Sequence, residues 1–316
     1  MTKFSPNVSV PSPVQNLNDP LLESYGITVD VKRDDLIHPV ISGNKYRKLA
    51  GHLAQINKTP GQGVVTMGGP WSNHLHATAW LCAAKNWPCT VLVRGHKPKR
   101  LSAMLTDLET WGTNIVFISR ADYRELREAY EAGHHSQTPL MAPYQSCYFI
   151  PEGGYHMNAR SGINSLIDEL EQEYDAVYLG IGTATTLGGL VAGWKESKTH
   201  FWGIQAVDAT ESQKANINRL APNSICKFSL TPDYQFGGFA RTTEQLIEFM
   251  CQCYKRTELV LEPIYTAKAM FALYEHIQQG MYSNGQRLLF IHTGGLQGLR
   301  GYEDDRLKTL ATVAGY

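Results

Sequence analysis

The stretch AVYLGIGTATTLGGLVAGW, Ala176 to Trp194, decides the fold class. It opens as a β-branched and aromatic run, turns at Gly180-x-Gly182, and continues as an uncharged, small-residue segment of helical character. The run is long enough to suggest a membrane span, but five glycines and three threonines interrupt it. It reads instead as strand, loop and helix, which is half of a βα unit.

The same alternation repeats on both sides. Strands are expected at Ile27 to Val31, Gly63 to Met67, Thr90 to Val93, Asn114 to Ile118, Tyr148 to Pro151, Phe201 to Ala206 and Arg287 to His292. Helices are expected at Lys45 to Ile56, Ser72 to Lys85, Leu101 to Trp111, Tyr123 to Ala132, Ile163 to Tyr174, Thr186 to Glu196, Thr243 to Lys255 and Ala267 to Gln279. Strands that alternate with helices build a largely parallel sheet, so the class is α/β. The 316 residues suffice for about two domains. The polar stretch Gly133 to Gln145, with two prolines, is the best linker.

Composition excludes several classes of function. The chain is 43% apolar and 18% charged, and 29 Lys+Arg balance 29 Asp+Glu. That mixture belongs to a globular protein without the positive field that nucleic acid or an anionic membrane would require. Six cysteines show no C-x-x-C pair and no zinc spacing with histidine, so reduced thiols and no metal are expected. Met1 to Gln15 lacks the apolar stretch of a signal peptide, which makes a cytoplasmic enzyme the expectation.

Five segments could carry chemistry. Gly43-Asn44-Lys45-Tyr46-Arg47-Lys48 places a lysine at a helix start with cations two and three residues on. Crowding by like charge and shielding from water favour a neutral, nucleophilic amine, although a surface lysine in a basic first turn would read the same. Gly68-Gly69-Pro70-Trp71-Ser72-Asn73-His74 leads from strand to helix; Ser72 and Asn73 suit either an anion site or plain N-capping. Gly182-Thr183-Ala184-Thr185 could hold a phosphate on backbone donors, or could be a tight βα turn. Thr185 stands where a dinucleotide fingerprint needs its third glycine, and no P-loop sequence occurs, so NAD and ATP are disfavoured. Near the C-terminus, Tyr265 and Thr266 precede a helix, and Thr293 precedes a glycine pair at a strand end.

Together, these segments resemble the pyridoxal-phosphate-dependent family of 1-aminocyclopropane-1-carboxylate deaminase and D-cysteine desulfhydrase, from about Lys32 to Tyr302 and in the family's order. The resemblance implies two open, twisted, largely parallel α/β domains like those of the tryptophan synthase β subunit. The large domain would comprise residues 1–45 and 146–316, the small one residues 46–145, with a homodimer as the assembly. Lys45 would bind pyridoxal 5'-phosphate covalently, Asn73 would meet its ring oxygen, and Gly182, Thr183, Ala184 and Thr185, helped by Lys48, would hold its phosphate. Ser72 would bind the substrate carboxylate, and Tyr265 would face the substrate. Deaminases of this group resemble one another in placing a glutamate directly after the tyrosine and a leucine before the glycine pair, whereas this chain has Thr266 and Thr293.

Neutral hydroxyls at the pyridine nitrogen make a weaker electron sink than a carboxylate does. The expectation is therefore α,β-elimination from a D-amino acid such as D-cysteine. Opening of a cyclopropane amino acid is the alternative, and a non-catalytic phosphate or small-ligand binder is the alternative of another class. The family's second active-site tyrosine is replaced within Phe236-Gly237-Gly238-Phe239-Ala240, and Trp71 adds bulk beside Ser72.

Overall fold

The computed structural model describes residues 8–57 and 62–316, so the reading of Met1 to Asn7 lies outside the described residues. Ten strands run in chain order: β1 Val14–Asn16, β2 Thr28–Lys32, β3 Val64–Gly68, β4 Cys89–Arg94, β5 Asn114–Ile118, β6 Tyr148–Ile150, β7 Ala176–Ile181, β8 His200–Gln205, β9 Lys227–Thr231 and β10 Arg287–Ile291. The helices are α1 Pro20–Ser24, α2 Asn44–Ile56, α3 Asn73–Lys85, α4 Ala103–Thr110, α5 Arg120–Glu131, α6 Ala159–Ile167, α7 Thr185–Gly193, α8 Thr210–Leu220, α9 Glu244–Thr257, α10 Thr266–Gln278 and α11 Asp305–Val313. The stretch from Ala176 to Trp194 is β7, a turn and α7. Among the described residues, no helix is long and apolar enough to cross a membrane.

The strands form two sheets. One has six strands in the order β1-β2-β10-β7-β8-β9, antiparallel at β1 and parallel elsewhere. The other has four parallel strands in the order β5-β4-β3-β6. Because β6 pairs with β3, the smaller sheet extends to Ile150, past the expected boundary at Gln145. Each sheet is covered on both faces, and side-chain alternation shows it: on β7, Ala176 and Tyr178 enter one apolar cluster, while Val177, Leu179 and Ile181 enter another.

Helix α2 connects the sheets and is held on two sides. Arg47, 2% exposed, donates to Asp34 Oδ1 at 2.7 Å and to Glu169 Oε2 at 2.8 Å, and so ties α2 to segments following β2 and α6. Glycines bring α2 and α6 into backbone contact: a Cβ on Gly162 would lie 1.9 Å from the Arg47 carbonyl oxygen, and one on Gly51 would lie 1.9 Å from that of Asn158. This contact corrects the expected helix at Ile163 to Tyr174. Observed α6 begins at Ala159, so that Gly162 falls at the crossing, and it ends before the acidic stretch from Asp168 to Glu173. The sequence reading also missed β1, β9, α1, α8 and α11, which are short elements or polar helices.

Candidate active site

The five segments converge on one cleft at the carboxyl ends of β3, β7 and β10, where open α/β sheets hold their ligands. Gly43 permits the approach. With φ +65° it sits 1.9 Å, measured from a hypothetical Cβ, from the Thr293 carbonyl oxygen, and Asn44 N–H donates to that oxygen at 3.2 Å. The start of α2 is thereby fixed against the end of β10. Gly180 and Gly182 give the same access from β7, since hypothetical Cβ atoms there would lie 2.6 Å from the Tyr265 carbonyl oxygen and 3.2 Å from its hydroxyl.

Lys45 is half-buried and donates to Asn44 Oδ1 at 2.6 Å. Burial pulls its amine down to about 8 against the opposing pull of the Glu262 carboxylate. Lys48, one turn on, is 4% exposed, and burial and the neighbouring Lys45 hold its amine well below the usual range. Its Nζ donates to the Gly153 carbonyl at 3.0 Å. A hypothetical Cβ on Gly153 would lie 3.0 Å from the Thr183 methyl, which places Lys48 beside the turn into α7. Ala184 takes a left-handed backbone (φ 58°) at the head of α7, which no side chain caps. Thr183 and Thr185 hydroxyls pair at 2.7 Å, while Gln213 and Asn216 hold the carbonyls of Gly182 and Thr183 at 2.7 and 3.1 Å.

At the other end of the cleft, Ser72 is the N-cap of α3, its Oγ accepting from Leu75 N–H at 3.3 Å, so its own proton remains free to donate. Asn73 Oδ1 accepts from Gln297 at 2.6 Å. Among the described residues, the hydroxyls of Tyr265 and Thr293 have no hydrogen-bond partner. Thr266 differs: buried, it accepts from Glu262 N–H at 2.8 Å and donates to the Glu262 carbonyl at 3.2 Å. Its hydroxyl is thus committed to the backbone.

Three residues in the cleft escaped the sequence reading as participants. Glu262 is 1% exposed, and its carboxylate accepts from the N–H groups of Ile264, Tyr265 and Thr266 at 2.7–2.8 Å. Burial raises its pKa against those bonds. His74 is fixed in one tautomer by hydrogen-bond counting: Thr66 donates its single proton to the Ile150 carbonyl at 2.7 Å, so His74 Nε2, 2.8 Å from Thr66 Oγ1, must donate. Nδ1 is left as a buried lone pair with no partner among the described residues. Gln297 is the third. A glutamate followed three and four residues later by a tyrosine and a helix-starting threonine was a readable signal for a capping carboxylate; nothing local marked the other two.

The region from Gln235 to Ala240 overhangs Tyr265. Phe236, Gly237, Gly238 and Ala240 all have positive φ, and buried Lys268 donates to the carbonyls of Gln235 and Gly238 at 2.6 and 3.0 Å. Phe239, 49% exposed, lies edge-on to Tyr265 with ring centroids 6.4 Å apart.

The chemistry of this donor set suits pyridoxal 5'-phosphate. A buried lysine beside an uncapped helix start suits an anion. The Asn73 amide nitrogen and the Thr293 and Tyr265 hydroxyls are donors without partners among the described residues, and Lys45 offers an amine of lowered basicity.

Comparison with known proteins agrees. The chain matches the family model described as pyridoxal-phosphate dependent enzyme over residues 10–294. It is 30% identical over 308 residues to a putative 1-aminocyclopropane-1-carboxylate deaminase of Thermotoga maritima, covering 92% of this chain and 95% of that one. It is 26% identical to a D-cysteine desulfhydrase of Serratia proteamaculans, covering 92% and 93%. Among solved structures, an ACC deaminase homologue superposes with a TM-score of 0.78 at 25% identity, covering 96% of this chain and 94% of the other. A threonine deaminase isoform from Solanum lycopersicum shares the fold, with a TM-score of 0.67 at 14% identity over 98% of this chain and 89% of the other. A chain matched by the family model over this length, and 30% identical to a relative along nearly its whole length, belongs to the family of pyridoxal-phosphate-dependent enzymes.

Proposed function

We propose that the protein catalyses α,β-elimination from a small D-amino acid, with D-cysteine giving pyruvate, ammonia and sulfide. The observation that carries this reading is the partner available to the pyridine nitrogen. The Glu262 carboxylate already accepts three backbone N–H groups, and the Thr266 hydroxyl is committed to the Glu262 backbone. The neutral hydroxyl of Thr293 remains. A neutral partner favours the less demanding expulsion of a thiol over the opening of a cyclopropane ring.

When bound, the cofactor supplies an electron sink for charge developing at the substrate Cα. The residues do the rest. Ser72 and the N–H groups of its turn bind the substrate carboxylate. Lys45, with an amine near 8, is partly neutral at physiological pH and takes the Cα proton on Nζ. Tyr265 Oη donates to the departing sulfur. Lys48 and the turn from Gly182 to Thr185 anchor the phosphate, and Asn73 orients the ring. We place the cofactor between two lobes built on the two sheets; the homodimer rests on the family resemblance.

The test is direct. Purified protein should show a violet-region absorbance band that borohydride bleaches and Lys45→Ala removes. D-cysteine should release pyruvate and sulfide much faster than 1-aminocyclopropane-1-carboxylate releases 2-oxobutyrate. The opposite ranking would establish the deaminase, and a protein that takes up no cofactor would leave only the ligand-binding alternative.

A further inference from the structure

The two ends of an amide side chain are nearly identical in shape and opposite in chemistry, so a site that needs an amide donor must prevent the amide from turning over. Around Asn73 this is done by a directed chain of hydrogen bonds. Arg300 donates through one terminal nitrogen to Asp107 Oδ2 at 2.7 Å and to Gln297 Oε1 at 3.1 Å. Gln297 Nε2 then donates to Asn73 Oδ1 at 2.6 Å and to the Trp71 carbonyl at 3.4 Å. Asp107 also accepts from His76 Nε2 at 3.0 Å.

The chain can run in one direction alone. A guanidinium has donors and no acceptor, so the end of Gln297 that meets Arg300 must be its oxygen. The nitrogen end of Gln297 therefore meets Asn73 and demands an oxygen there. The NH2 group of Asn73 is turned to the opposite side, where Nδ2 lies 2.7 Å from the position a Cβ on Gly295 would occupy. That NH2 donates to none of the described residues. Gln297 is 3% exposed, so solvent offers little alternative partner. The relay also crosses between the two halves of the fold: His76 and Asp107 lie on α3 and α4 beside the four-stranded sheet, while Gln297 and Arg300 follow β10 of the six-stranded one.

We propose that Gln297, itself set by Arg300, is a positioning residue that locks the Asn73 amide so that the cleft presents a hydrogen-bond donor to an ionised ring oxygen. This deepens the reading above and rests on pyridoxal phosphate lying with its phenolic oxygen toward Asn73. The donor stabilises the ionised form of that oxygen, whereas a turned amide would present a second lone pair and repel it.

Gln297→Glu separates the roles, because a carboxylate still accepts from Arg300 but cannot donate to Asn73, which must then turn its NH2 inward. Cofactor-free protein titrated with pyridoxal 5'-phosphate should bind roughly 10- to 100-fold more weakly than wild type, as expected for losing one hydrogen bond to a charged acceptor. The violet band of the loaded variant should weaken toward the ultraviolet and titrate with pH at a shifted midpoint. A cofactor analogue with hydrogen in place of the ring hydroxyl should bind wild type and variant alike. Wild-type affinity and spectrum in Gln297→Glu, or equal weakening for the analogue, would overturn the proposal. If that variant does not fold, Arg300→Gln decides: an amide at 300 can present either end, so a mixed spectrum is expected and an unchanged one counts against the relay. Absence of cofactor uptake by wild type would instead sink the underlying functional reading.

Discussion

Thr266 and Thr293 look alike in the sequence, each beside a motif residue of the cleft, and the structure gives them different work. Thr266 exchanges two hydrogen bonds with Glu262, so it serves the backbone at the start of α10. Thr293, 5% exposed, keeps its hydroxyl free among the described residues. Thr266→Val should lower stability by about 1–3 kcal/mol, the cost of leaving a buried N–H unpaired, with the absorbance of the loaded protein unchanged. Thr293→Val should do the reverse, shifting the spectrum while thermal unfolding of the cofactor-free protein stays within about 1 kcal/mol of wild type. Paired melting curves and absorption spectra check both. Identical behaviour of the two variants would remove the distinction on which the choice of elimination chemistry rests.

At the scale of elements, the reactive amine depends on where α2 starts and how closely α6 packs beside it. Gly162 has no room for even a methyl group, and the atom in the way is the carbonyl oxygen of Arg47, which cannot move without moving α2. Gly162→Ala should therefore cost about 3 kcal/mol or more and weaken cofactor binding at a distance from the cleft, measurable as a fall in melting temperature and a weaker binding titration. The contrast between α6 and α7 explains what the chain alone discloses. The α7 segment carries its own punctuation, with strand, glycine turn and hydroxyls in sequence. The α6 segment is placed by a glycine contact with a helix some hundred residues earlier, so its register is invisible to local periodicity. Lys45, Asn73 and the turn at Gly182 could be singled out in the sequence because they stand at or before helix starts, close to glycines. Gln297 and His74 were not, because their significance lies in which partner donates to which, and that follows from packing.

Across the whole molecule, a largely buried ion cluster of Lys32, Arg47, Asp34 and Glu169 ties segments distant in the chain. Burial alone would raise the Glu169 pKa, but hydrogen bonds from Arg47 and Lys32 outweigh it and hold the carboxyl below 4.5. A lowered folded-state pKa contributes stability that is fully present above the unfolded value of 4.5 and lost as pH falls through the folded one. Glu169→Gln should be less stable than wild type by about 2–4 kcal/mol at neutral pH. The gap should close as the pH drops below 4.5, because wild type then loses the same charge. Denaturation curves across that range are the check. The span from Gln235 to Ala240 is held differently, by Lys268 donating to two carbonyls and by Phe236 packed on Phe271 with ring centroids 4.9 Å apart, while Phe239 stays 49% exposed. Such a segment carries one exchangeable position: variants at Phe239 should retune which amino acid is accepted while the Lys268 bonds, the Phe236 packing and the colour of the loaded protein stay as they were.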